Sequence, residues 1–126
     1  MIEILEPEVS LINSIGLQQM TRVVLRAIED HPVHGPYFFL NPAARNKGHH
    51  PECDRRSGGF IQHVKRAVLC GRHVCRSFQL SQDSTDIVTA ALILHDICRK
   101  NYQTHAGDAA MFIDLLQISQ DLLHEN

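Results

Sequence analysis

From Ile87 to Leu94 the chain carries seven apolar residues interrupted only by Thr89, and His95 and Asp96 follow directly. Apolar residues on every side of a helical wheel mark a helix at the centre of a fold rather than on its surface. The stretch therefore predicts a central, fully buried helix over about 84–97, capped by Ser81 or Asp83. Such a helix needs others around it. Leu17, Met20, Val23, Val24 and Ile28 recur at three- and four-residue steps and predict an amphipathic helix over 17–30. His31-Pro32 ends it, because a residue before proline is pushed out of the helical region. Phe60, Val64, Ala67, Val68, Val74, Cys75 and Phe78 form a second stripe over about 59–79. A further helix follows Thr104, with Ala106, Ala109, Ala110, Phe112, Ile113, Leu116 and Leu123 facing inward. No run alternates as a half-buried strand does. The expected fold is an all-α bundle of about five helices in a single domain, 1–126, with its chemistry within about 40–116. Residues 1–16 read as an N-terminal arm, a short helix or irregular. Residues 31–59 read as irregular, with Pro36-Tyr37-Phe38-Phe39-Leu40 packed on the core, and a stretch that long inside a small domain is more often functional than decorative.

At 126 residues, 44% hydrophobic and 21% charged, the chain can bury a core without disulfide or metal staples. Twelve basic against fourteen acidic residues give a net charge of −2, which exerts no global pull toward nucleic acid or membrane. No apolar run approaches the ~20 residues of a membrane span. Glu3 and Glu6 stand where a signal peptide would carry cations, so a cytoplasmic protein is expected. Cys53, Cys70, Cys75 and Cys98 then read as reduced thiols. Cys70 and Cys75, five apart, diverge on a helix and do not form a zinc pair.

Nine histidines are unusually many for this length, and one of them closes the most apolar helix. A His-Asp pair after so long an apolar run must be desolvated unless something pairs with it. One reading is a helix-end carboxylate beside a satisfied core histidine. The other is a metal ion, for which neutral imidazole nitrogen and carboxylate oxygen are both ligands. Adjacent helical residues point about 100° apart, so the two converge on one ion only near a helix end. His63 lies one turn into the preceding helix, behind the tight entry of Gly58-Gly59. A short connection near 79–83 makes the two helices antiparallel. That brings His63 beside His95 and Asp96, three ligands of suitable type from two helices.

Together, Gly58-Gly59-Phe60-Ile61-Gln62-His63 and Ala90-Ala91-Leu92-Ile93-Leu94-His95-Asp96-Ile97-Cys98-Arg99 resemble the motifs of the HD-domain superfamily of metal-dependent phosphohydrolases. The His49-His50 pair resembles the His-His of the branch that includes HD-type 3′→5′ exoribonucleases and HD relaxase-like proteins. Thr104-His105-Ala106-Gly107 resembles the His that opens the following helix in many members. The likeness covers about 40–116. It implies an HD-like bundle and a phosphohydrolase or phosphodiesterase acting on a nucleotide or nucleic-acid phosphate, with metal-activated water as nucleophile. The metal ligands implied are His63, His95 and Asp96, with His105 for a second ion and Asp108, one turn on, sharing its face. The N/O donor set suits Mn²⁺, Fe²⁺, Ni²⁺, Co²⁺ or Mg²⁺ better than structural zinc. Asp96 doubles as a catalytic group. Arg99 and Lys100 follow it as catalytic cations, and His49, His50, Arg55, Arg56 and Lys65 are candidate contacts for substrate phosphate.

The sequence departs from the family at Cys98, where Gly is usual, and at Arg99, where Lys is usual. The family's closing metal-binding Asp has no clear counterpart among Asp108, Asp114 and Asp121. The fourth ligand is then recruited unusually, supplied by water or a partner chain, or carried by helices beyond this sequence. Two alternative functions follow: an HD-like binding or regulatory module without turnover, and a di-iron oxygenase. His31 and His34 read as turn residues, His73 as a surface residue and His124 as a frayed end. Apolar surface left on the last helix points to a homodimer.

Overall fold

The structure, a computed structural model, describes residues 2–40 and 58–97. A 3-10 turn, Ile2–Leu5, leads into α1 (Glu6–Val9), followed by α2 (Ile15–Asp30), α3 (His34–Leu40), α4 (Gly59–Ser77) and α5 (Gln82–Leu94). Among the described residues there are five α-helices and no strand, which is the all-α fold expected. None of these helices is long and apolar enough to cross a membrane. The expected helices over 17–30, 59–79 and 84–97 are α2, α4 and α5; the one after Thr104 lies outside the described residues.

The helix ends show why the chain folds at these positions. Ser14 caps α2, its side chain accepting from the Leu17 N–H at 3.3 Å, and Ser81 caps α5 by accepting from the Ser84 N–H at 3.1 Å. α4 stops at a Schellman turn: the Gln79 N–H donates to the Arg76 carbonyl at 3.1 Å, and the Leu80 N–H to that of Cys75 at 3.0 Å. Gln79 takes the left-handed conformation there, φ 54°, a position usually held by glycine. The turn is short, so α5 runs back antiparallel along α4. At Gly71 the helices come so close that an added Cβ would meet Leu92 Cδ1 at 2.2 Å.

One part of the fold adds to expectation and another departs from it: the N-terminal arm is a short helix, one of its two expected forms. The N-terminal arm is core: Leu5, Val9 and Ile12 are buried against α2 and α5, held at helical spacing by α1. Glu8, buried beside them, accepts from the Lys65 ammonium of α4. The start of the expected irregular stretch is also helical. His31 Nδ1 accepts from the N–H groups of Val33 and His34, at 3.1 and 3.0 Å, and so caps α3. Pro36 sits in the first turn of α3, where proline costs nothing. Phe38 and Phe39 are buried as expected, and Phe38 lies 5.5 Å from Phe60 of α4, ring centre to ring centre.

α5 is central, touching α1, α2 and α4, but it is not buried all round. Ala90, Ile93 and Leu94 face the core, whereas Ile87 is 63% exposed and Ala91 is also exposed. The α4 stripe is likewise narrower than expected. Ile61 lies inside, and Val74 and Phe78 lie outside, Phe78 because the chain has already left the helix there.

The buried face of α5 carries one carboxylate near its start, Asp86. Its Oδ1 accepts from the Asn13 N–H at 3.1 Å and from Gln82 Nε2 at 3.2 Å, and its Oδ2 from the Ser14 N–H at 3.0 Å. This clip ties the connection before α2 to α5 and leaves the opposite end of α5 to the candidate site.

Candidate metal centre

The site is built where α4 begins and α5 ends. Gly58 precedes α4 with φ 74°, a left-handed conformation that glycine adopts without strain. This sharp entry puts Phe60 and then His63 into the first turns. Phe60 is buried and meets the His63 ring edge-on, centroids 6.2 Å apart, which fixes one side of the imidazole.

At the other side His95 forms the C-cap of α5, and Asp96 follows in the closing turn, where the Ile97 N–H donates to the Leu94 carbonyl at 3.3 Å. Leu94 and Ile97 are both buried and pin the turn between them. Leaving the helix here is what allows consecutive residues to converge. His95 Nε2 lies 2.9 Å from Asp96 Oδ2, and His63 Nε2 lies 3.2 Å from the same oxygen. The two imidazole rings are 5.6 Å apart, and one donor atom from each of the three residues lies within 4.8 Å of the others.

The tautomer of His95 follows from its other nitrogen. Nδ1 is 2.6 Å from the Leu92 carbonyl, one of the last-turn oxygens that α5 leaves without an intrahelical donor. A carbonyl only accepts, so Nδ1 carries the proton and donates. In the neutral ring Nε2 is then a bare lone pair aimed at a carboxylate oxygen. Two acceptors at 2.9 Å repel each other unless a proton or a cation lies between them. A metal-ligating histidine is held in this way, its second nitrogen donating to a fixed oxygen.

The donor set fits a divalent cation. Ligand atoms about 2.0–2.2 Å from an ion are about 3 Å from their neighbours around it, close to the separations seen here. Asp96 is 2% exposed, whereas the His63 and His95 side chains retain 23% and 35% of their exposure, so the cluster has a buried acidic floor and an accessible rim. The C-terminal end of α5 adds the negative end of a helix dipole, which favours positive charge.

Of the expected site residues, the structure brings together His63, His95 and Asp96. Lys65 has another role. It stands two residues from His63, on the opposite side of α4, and its ammonium is held by the buried Glu8 rather than at the rim of this site. His49, His50, Arg55, Arg56, Arg99, Lys100, His105 and Asp108 lie outside the described residues. Three contributors escaped the sequence reading: the Leu92 carbonyl, the Phe60 ring and the clip at Asp86. Phe60 and Leu92 each stand three residues before a site histidine, a spacing that places them on its face; Asp86 has no local signal, because its backbone donors are more than seventy residues away. Cys70 and Cys75 are free thiols, exposed and buried respectively, while Cys53 and Cys98 fall outside the described residues. The chain matches no family model, no curated protein and no solved structure.

Proposed function

We propose that the chain is a metal-dependent phosphohydrolase that cleaves a phosphate ester of a nucleotide or nucleic acid, with His63, His95 and Asp96 holding its divalent cation. The observation that carries this reading is the meeting of two imidazole Nε2 atoms at one buried carboxylate oxygen, at 2.9 and 3.2 Å. When bound, the ion supplies a Lewis acid that polarises a phosphoryl oxygen and brings the ionisation of water toward neutral pH. The protein groups do the remaining work. Asp96 compensates charge from below, the Leu92 carbonyl keeps the His95 lone pair facing inward, and buried Phe60 and Ile97 keep bulk water from the back of the site. The half-exposed imidazoles leave an approach for an ester, as in catalytic rather than closed structural sites. Arg99 and Lys100, close behind Asp96 in sequence, are assigned to the ester's oxygens.

The test is elemental analysis of the purified full chain, wild type against Asp96→Ala, followed by aryl phosphomonoesters and phosphodiesters with added Mn²⁺. The wild type is expected to retain a stoichiometric divalent ion and turn over at least one ester, and the variant to lose both. Retained metal without turnover would point to a binding module, and oxygen uptake with an iron absorption band to an oxygenase. A wild type that holds no ion sinks the proposal.

A further inference from the structure

His31 stands between two helices and serves both. Its backbone N–H closes α2 by donating to the Ile28 carbonyl at 3.0 Å, and its carbonyl accepts from the Gly35 N–H at 3.0 Å. Its Nδ1 accepts from the N–H groups of Val33 and His34 at 3.1 and 3.0 Å. The link is tight: a Cβ added at Gly35 would meet the Glu29 carbonyl oxygen at 2.7 Å.

Backbone N–H groups only donate, so Nδ1 carries no proton and the neutral ring holds its hydrogen on Nε2. This is the reverse of His95, whose Nδ1 donates. The usual capping side chains accept through oxygens that do not change protonation near neutral pH. Imidazole accepts in only one of its two states. A proton on Nδ1 meets two N–H groups and the positive end of the α3 dipole, while the negative end of α2 favours the charged ring. The ring then leaves one helix for the other.

What α3 carries gives this exchange a consequence. Phe38 and Phe39 are buried, their rings edge-on with centres 4.9 Å apart, and Phe38 lies 5.5 Å from Phe60, the ring that meets His63. We infer that His31 is a pH-sensitive latch, whose protonation uncaps α3 and loosens the aromatic packing behind His63. Among the described residues, the titratable groups about it are His34, its ring centre 4.6 Å away, and Glu29 and Asp30, which end α2. α4, also packed on α3, presents Phe60, with His63 beyond it. Carboxylates ordinarily titrate about two units below imidazole, so a change between about pH 7.5 and 5.5 belongs to a histidine.

The experiment is amide hydrogen exchange by NMR on the full chain across that range. Rates are corrected for the intrinsic effect of pH, and the His31 titration is read from its own Cε1–H resonance. In the wild type, protection at Phe38 and Phe39 is expected to fall about fivefold as the ring takes its proton, the ordinary effect of losing a helix cap. His31→Asn puts Oδ1 where Nδ1 stood, keeps an acceptor throughout and should hold its protection. His31→Ala should show the low protection at both ends of the range, and His34→Gln should respond as the wild type does. A ring that takes no proton within the range, protection that stays level while it titrates, an equal fall in His31→Asn, or loss of the response in His34→Gln overturns the inference. Metal content and ester turnover play no part in these readouts, so their outcome is separate from that of the proposed function.

Discussion

Asp86 and Asp96 stand at opposite ends of α5, and each is 2% exposed. Burial alone does not distinguish them; their partners do. Asp86 faces two backbone N–H groups and a side-chain amide N–H, which donate in every protonation state. Its charge is compensated permanently, and a cation would have to displace the backbone to reach it. Asp96 faces two imidazole nitrogens, which are donors when protonated and lone pairs when not. One carboxylate is a clip. The other belongs to the arrangement proposed to hold a metal.

The strongest way to break this contrast is to neutralise each acid without changing its shape. Asp96→Asn is expected to weaken Mn²⁺ binding at least about 100-fold by isothermal titration calorimetry, whereas Asp86→Asn leaves it intact; equal losses would mean that the two ends of α5 are not distinct. In urea titrations the order reverses. Asp86→Ala strands two backbone donors and is expected to cost about 2–4 kcal/mol.

Acid titration sharpens the same point. Burial pushes the Asp86 carboxyl up, but the N–H groups of Asn13 and Ser14 and the Gln82 amide outweigh it and hold the group below its ordinary value of 3.8. A carboxylate lowered on folding stabilises fully above its unfolded value and loses that contribution as the pH falls through the folded one. Wild-type stability is therefore expected to decline below about pH 4, and Asp86→Asn to flatten that limb in urea midpoints measured across pH. Next in size is Glu8→Gln, expected to cost about 1–2 kcal/mol because Lys65 remains partly solvated. The smallest effect is a gain. Gln79→Gly relieves a left-handed residue and should raise stability by about 1 kcal/mol, with no change in Mn²⁺ affinity.

The features legible in the sequence were those with local periodicity or a local break. The Leu17-to-Ile28 stripe gave α2, the Ser81 cap gave the start of α5, and the short link between α4 and α5 brought His63 to His95 and Asp96. What misled were residues with two uses. Pro36 and Gly35 signal a loop, yet both fit the first turn of α3 once His31 caps it. Leu5, Val9 and Ile12 already show helical spacing, but with Pro7 and Gly16 around them the arm reads equally as a short helix or as irregular. Lys65 looked available for phosphate because Glu8, far away in sequence, shows no pairing pattern until the chain is folded.

The oxygen that orients the His95 ring is main chain, at Leu92. Exchanging the leucine for another residue leaves that oxygen in place, so side-chain variation at position 92 cannot abolish this support. What can disturb it is a shift in where α5 ends. The aim of the His95 ring is thus inherited from helix length, and an insertion or proline in the final turn should damage the candidate centre more than most substitutions around its rim.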